Sequence, residues 1–349
     1  MFLTSGFVYG TAAEAEAAFA GEHERFIYSR YGNPTVSMFE ERLRLLEGAE
    51  ACMATSSGMA AVFAALGSIV GAGDRVVASR ALFGSCHVVL TEILTRFGAT
   101  ATLVDGTNLD EWEAALANGA TAVFLETPSN PGLQIIDLAG VVELAHAAGA
   151  IVIVDNVFAS PVLQKPLEFG VDVVVYSATK HIDGQGRVLG GAVLCSEVFK
   201  TERLMPFTRH TGPSLSPFNA WVLVKGLETL HLRVQASAGS ALTLAQRLEG
   251  HPAVAAAGYP TLESHAQYEL AKRQMAAGGT VVTIDVGGHD DHGKKERAFQ
   301  FMDARAWPLI PPRPPTVALD PTAEPSLASA KTWCACPSAS KTSRIFGTT

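Results

Sequence analysis

Asp155 and the run Ser177-Ala178-Thr179-Lys180 are the residues of this chain whose types and spacing could do chemistry. Asp155 closes the apolar run Ile151-Val152-Ile153-Val154, and the next β-branched run, Val173-Val174-Val175, leads into Ser177, Thr179 and Lys180. A lysine amine can form a Schiff base with a carbonyl, an acid can keep a ring nitrogen protonated, and two hydroxyls can hold a phosphate. Delivered to one edge of a sheet, these groups are what a pyridoxal phosphate (PLP) site requires. Taken singly, each has a plainer reading: a lysine after a strand is usually a solvated strand end, and an aspartate there is usually a helix cap. Their order and surroundings make the combination specific.

The elements that must position these residues are short strands alternating with helical stretches between about Ala49 and Leu194. Arg75–Ala78, Ala101–Val104, Ala122–Leu125, Ile151–Val154 and Val171–Val175 are the strand candidates, and Leu138 to Ala148 carries apolar residues at helical spacing. Alternation of this kind with wholly apolar strands predicts an α/β fold with a mostly parallel sheet covered on both faces. Ligands of such sheets sit beyond the carboxyl ends of the strands, where Asp155 and Lys180 fall. Phe218 to Leu248 contains no proline and reads as one or two long helices. Gly279 to Val286 reads as a strand of a smaller second domain.

Composition narrows the function classes. With 349 residues, 48% of them apolar, the chain can bury a large core and build two domains. A net charge of −8 without a Lys/Arg cluster argues against a nucleic-acid surface. Cys52, Cys86, Cys195, Cys334 and Cys336 make no disulfide framework. No signal peptide and no run of membrane-spanning length is present, so the expectation is a soluble cytoplasmic protein without membrane or nucleic-acid partners.

Thr55-Ser56-Ser57-Gly58-Met59-Ala60-Ala61 opens an apolar helical stretch. Small residues at a helix start expose N–H groups that cradle a phosphate, although such a turn alone would be an ordinary cap. Gly184-Gln185-Gly186 does not open a helix with dinucleotide spacing. His289, Asp290, Asp291 and His292 read as a solvated loop between glycines and lysines, not a metal site, and Cys334-Ala335-Cys336 lacks two further ligands at the usual spacing.

Tyr28-Ser29-Arg30-Tyr31-Gly32-Asn33-Pro34-Thr35, Ser56-Ser57-Gly58-Met59-Ala60, Glu126-Thr127-Pro128-Ser129-Asn130-Pro131, Asp155-Asn156 and Ser177-Ala178-Thr179-Lys180 together resemble the Cys/Met-metabolism family of fold-type-I PLP enzymes, from about Leu3 to Ala304. Within that family, Ser79 to Ser85, Thr179 to Arg187 and Thr211 to Phe218 are most similar to members acting on O-succinylhomoserine with sulfide. The resemblance implies PLP as cofactor, Lys180 as the Schiff-base lysine and proton shuttle, and Asp155 as partner of the ring nitrogen. It further implies that Gly58, Met59, Ser177 and Thr179 hold the phosphate, and that Asn130 lies near the ring and the substrate carboxylate. Phe83 stands where most relatives place a ring-stacking tyrosine. Tyr28 and Arg30 would reach the phosphate of a neighbouring subunit, making a homodimer the minimal unit and a homotetramer the expected assembly.

The implied activity is γ-replacement on an activated homoserine ester, O-succinylhomoserine plus sulfide giving homocysteine and succinate in methionine biosynthesis. The alternatives are a cystathionine or methionine lyase, against which Phe83, His181 and Ser85 (a Cys in methionine γ-lyases) count, and an inactive truncated relative. The implied division is residues 1–35 contacting the neighbouring subunit, 36–217 the PLP-binding large domain, and 218–304 a partial C-terminal domain. Residues 305–349 form a Pro/Ala/Ser-rich tail, expected to be disordered. That tail concentrates eight of the chain's 18 prolines, and Pro311-Pro312-Arg313-Pro314-Pro315 can propagate neither a helix nor a central strand. A reading-frame shift in a GC-rich gene would produce such a switch of texture. Relatives take an arginine for the substrate α-carboxylate from this part of the chain, and Arg305, Arg313 and Arg344 sit in no matching motif.

Overall fold

A computed structural model describes residues 1–23, 25–287, 291–306 and 334–337. Seven strands make the main sheet: β1 (Ala51–Thr55), β2 (Arg75–Ser79), β3 (Thr100–Val104), β4 (Ala122–Glu126), β5 (Ile151–Asp155), β6 (Val173–Ser177) and β7 (Gly191–Cys195), in the order β1-β7-β6-β5-β4-β2-β3. β6, β5, β4, β2 and β3 run parallel, and β7 is antiparallel to both β6 and β1. The sheet is therefore mostly parallel, as the alternation predicted.

Strand side chains alternate between faces, and the two faces build separate cores. Val123, Leu125, Val152, Val154, Val174 and Tyr176 pack on one side with the helices Pro34–Glu47 and Leu138–Ala147. Ala122, Phe124, Ile153, Val173 and Val175 pack on the other with the helix Gly58–Gly67. Continuing that parity, Glu126, Asp155 and Ser177 end β4, β5 and β6 on the face that carries the Gly58–Gly67 helix. Period-two geometry thus gathers two acids, a hydroxyl and a helix start at one edge.

The expected strand 171–175 begins two residues later. The Asp172 carboxylate accepts the Val152 N–H at 2.7 Å, replacing a rung of the ladder before β6 starts. β1 and β7 escaped the strand reading, because Ala-Cys-Met-Ala-Thr and Gly-Ala-Val-Leu-Cys have few β-branched residues. Their pairing is fixed by the neighbouring layers.

Pro217–Leu227 and Leu230–Leu248 form the two expected helices. A three-stranded sheet, β8 (Ala256–Gly258), β9 (Val281–Asp285) and β10 (Cys334–Pro337), is ordered β10-β9-β8. Tyr259, Leu262, Val282 and Ile284 pack there against Ala241 and Ala245 of the long helix and Ala298 of the helix Asp291–Ala306. Within the tail, β10 pairs antiparallel with β9, from Cys334 opposite Ile284 to Pro337 opposite Val281. An open strand edge accepts short segments of this kind, and proline at the strand end takes no central rung. The rest of the expected disordered tail, 307–333 and 338–349, lies outside the described residues.

Gln274 ties this region to the main sheet. Its Oε1 accepts the Leu138 N–H at 3.0 Å, and its Nε2 donates to Ile136 O and to Gln164 Oε1, also at 3.0 Å. Among the described residues no helix is long and apolar enough to cross a membrane.

Candidate active site

Gly58 opens its helix one residue after Ser57, whose Oγ accepts the Ala60 N–H at 3.1 Å. The first-turn N–H groups of Gly58 and Met59 have no intrahelical acceptor. A Cβ on Gly58 would lie 2.5 Å from Ser177 Cβ, so only glycine lets the helix start approach the end of β6. A Cβ on Gly191 would lie 2.1 Å from Ser57 O, which closes the same cradle from β7. Ser177 makes no side-chain hydrogen bond among the described residues. Thr179 does: its Oγ1 accepts the Gly190 N–H at 3.1 Å and donates to Gly190 O at 3.3 Å.

Lys180 follows β6 in a turn, half-buried, with no salt bridge among the described residues. Burial pushes its pKa below the usual lysine value, which favours the neutral, nucleophilic amine. Asp155 is 7% exposed, and among the described residues its side chain accepts only the Val157 N–H, at Oδ1 and 3.0 Å. Burial raises its pKa to about 7, opposed by that hydrogen bond. A buried acid with no cation beside it is costly to ionise, and a protonated ring nitrogen would supply the missing charge.

Glu126 was quoted above only as part of a motif. The structure places it beside Asp155 in register on the neighbouring strand. It is 3% exposed, and its Oε2 accepts the Phe83 N–H at 2.6 Å. Burial, then the charge of Asp155, push its carboxyl well above the usual range. Phe83 stands at the start of the helix Gly84–Val88 and packs with Met59 in the core on the cradle's face. Buried Cys86 lies under the same cluster with Sγ 4.0 Å from Met59 Sδ. The sequence marks Glu126 only as an acid closing an apolar run; its place beside Asp155 depends on the register of β4 with β5.

The residues expected around PLP are thus gathered at the carboxyl ends of β4 to β6 and at one helix start, apart from Phe83 at a second helix start, Asn130, and Tyr28 with Arg30. Asn130 lies on the segment leaving β4, between cis peptides at Thr127-Pro128 and Asn130-Pro131. Tyr28 and Arg30 line a separate open groove of about 460 Å³ with Leu3 and Ser214 to Phe218, a groove that includes neither Lys180 nor Asp155. There the Arg30 guanidinium lies 4.7 Å from the Tyr31 ring centroid and 5.4 Å from that of Tyr28, and donates to Arg209 O. Of the carboxylate-binding candidates, the side chain of Arg305 and all of Arg313 and Arg344 lie outside the described residues. So do His289 and Asp290, and no cluster able to hold a metal occurs among the described residues.

The donor set fits PLP: free helix N–H groups and a free Ser177 hydroxyl suit a phosphate, an unpaired buried acid suits a ring cation, and an unpaired lysine suits the carbonyl. The comparisons agree. The chain is 60% identical over 303 residues to O-succinylhomoserine sulfhydrylase of Mycobacterium tuberculosis, spanning 87% of this chain and 74% of that protein. It is 42% identical over 297 residues to L-methionine gamma-lyase of Porphyromonas gingivalis, spanning 84% of this chain and 74% of the relative. A crystal structure of cystathionine gamma synthase from Xanthomonas oryzae pv. oryzae superposes with a TM-score of 0.81 at 32% identity, over 89% of this chain and 77% of that one. The model of the family described as Cys/Met metabolism PLP-dependent enzyme matches residues 1–307, and the chain belongs to that family.

Proposed function

We propose that this chain catalyses γ-replacement on O-succinylhomoserine, breaking the Cγ–O bond to release succinate and forming a Cγ–S bond with sulfide to give homocysteine. Lys180 and Asp155 at neighbouring strand ends beside the Gly58 cradle carry the reading, and the higher identity to a sulfhydrylase than to a methionine lyase supports it over elimination. PLP, when bound, supplies the electron sink that makes the substrate's Cα–H acidic. The chain supplies placement and proton traffic. Lys180 Nζ, whose pKa burial lowers and which has no ion pair among the described residues, takes the Cα proton and returns it at the end. Asp155 holds its charge opposite the ring nitrogen. Gly58 and Met59 N–H groups with the Ser177 hydroxyl bind the phosphate, and Thr179 joins them if its hydroxyl turns from Gly190. Phe83 covers the ring face without a hydroxyl, which leaves Lys180 to serve the departing ester. Asn130 orients the ring and the substrate carboxylate.

We infer also that residues 36–217 form the PLP-binding domain and 218–304 a C-terminal domain, and that the active unit is a homodimer or homotetramer. Exposed Tyr28 and Phe218 line one groove, with exposed Tyr31 and Trp221 packed beside them, which supports an assembly in which Tyr28 and Arg30 serve a neighbouring site.

Product analysis tests the activity. With PLP, O-succinylhomoserine and sulfide, the expected products are homocysteine and succinate in equal amounts. An oxo acid and ammonia formed from methionine in place of these would assign the chain to the lyases.

A further inference from the structure

Asp155 ends β5 and Lys180 lies in the turn after β6, yet one run of hydrogen bonds connects their surroundings. Asp155 Oδ1 accepts the Val157 N–H at 3.0 Å, and Val157 O in turn lies 3.1 Å from Nδ1 of His181, the residue after Lys180. A carbonyl can only accept, so Nδ1 carries the proton and Nε2 is the acceptor in a neutral ring. Nε2 lies 2.6 Å from Thr280 Oγ1, whose hydroxyl donates to it. Thr280 is 5% exposed and precedes β9 of the three-stranded sheet. A second brace comes from Arg233 on the long helix, which donates to His181 O and to Gly226 O, each at 2.8 Å. Burial lowers the His181 pKa to about 4, in keeping with the neutral ring.

We propose that His181 is a positioning residue: it locks the turn after Asp155 to the turn that carries Lys180, and through Thr280 it makes both depend on how the β8–β9 sheet is seated. The inference rests on the PLP reading above. Its physical logic is that of any reactive pair held by groups that do not react: the supporting hydrogen bonds fix the geometry, and their loss loosens it.

The test measures the dissociation constant for PLP and the visible circular dichroism of the bound cofactor, at a temperature well below every variant's melting point. His181→Phe keeps a ring of similar size and removes both hydrogen bonds, so PLP should bind about tenfold more weakly, with reduced dichroism. His181→Asn restores a donor for Val157 O and should recover most of the affinity. Thr280→Val should weaken binding by a few-fold, and Thr280→Ser should not. If His181→Phe and Thr280→Val lower only the melting temperature while binding PLP with wild-type affinity and dichroism, the proposal is overturned. Failure of the wild-type chain to take up PLP overturns the reading beneath it, and the proposal with it.

Discussion

Glu126 and Asp155 stand side by side at the ends of β4 and β5, paired in register and both buried. Two carboxyls so placed cannot both ionise cheaply, so the pair shares its titration. Burial raises both carboxyls, Asp155 to about 7 and Glu126 well above the usual range, where the Asp155 charge adds to the rise and the Phe83 N–H opposes it. Glu126→Gln keeps that acceptor and removes the competing acid. It should leave stability within about 1 kcal/mol, and Asp155→Asn in the cofactor-free chain should lower the Glu126 pKa, read from the carboxyl band in an infrared titration. Glu126→Ala strands the Phe83 N–H and should cost about 1–3 kcal/mol in urea denaturation. A titration of Glu126 unchanged by Asp155→Asn would contradict the coupling.

Glu47 sets a pH dependence of stability. Its Oε2 accepts the Tyr176 hydroxyl at 2.5 Å, its buried Oε1 has no hydrogen-bond partner among the described residues, and burial raises its pKa to about 8. A carboxyl raised on folding holds its proton better in the folded chain. It therefore contributes stability that is fully present below about pH 4.5 and lost as pH rises through about 8. Each pH unit between folded and unfolded titrations is about 1.4 kcal/mol. His181, lowered to about 4, acts in the opposite sense below its unfolded value of 6.5, so the cleanest window lies above that pH. Melting temperatures of the cofactor-free protein should fall between about pH 6.5 and 8, and Glu47→Gln should flatten that fall.

Gly58→Ala tests the cradle. The added Cβ would stand 2.5 Å from Ser177 Cβ, so the helix start must move away from β6. The expected cost is about 1–3 kcal/mol of stability, together with at least a tenfold weaker PLP complex by absorbance titration. Gly239→Ala, in the Leu230–Leu248 helix, meets nothing within 4 Å and should leave PLP binding unchanged.

Shared sites predict complementation. Arg30→Ala and Lys180→Ala should each be inactive alone. If Arg30 serves a neighbour's phosphate, a heterodimer holds one site with both lesions and one intact site. Equal mixing after reversible dissociation should then recover activity in about a quarter of sites. No recovery, with mixed assemblies demonstrated by mass, would place Arg30 within its own subunit's chemistry.

How far the sequence reached follows from what each residue encodes. β-branched strands ending in Asp155 and Ser177 announce both their period and their direction, so the parallel sheet and its loaded edge were legible. β1 and β7, built from small residues, carry no such pattern, and layers distant in sequence decide their pairing. Glu126 escaped because an acid at a strand end signals nothing until its neighbour in register is known. The Val157–His181–Thr280 connection joins residues from three separate elements, and no local spacing contains it. β10 escaped because four small residues form a strand only where β9 offers an edge.

The most direct test of the central claim is the visible absorption of the purified chain titrated with PLP, before and after O-succinylhomoserine is added. The account predicts a cofactor band that saturates at one PLP per chain, shifts with substrate, and is absent from Lys180→Ala. A chain that takes up no PLP, or a band identical in wild type and Lys180→Ala, would contradict it.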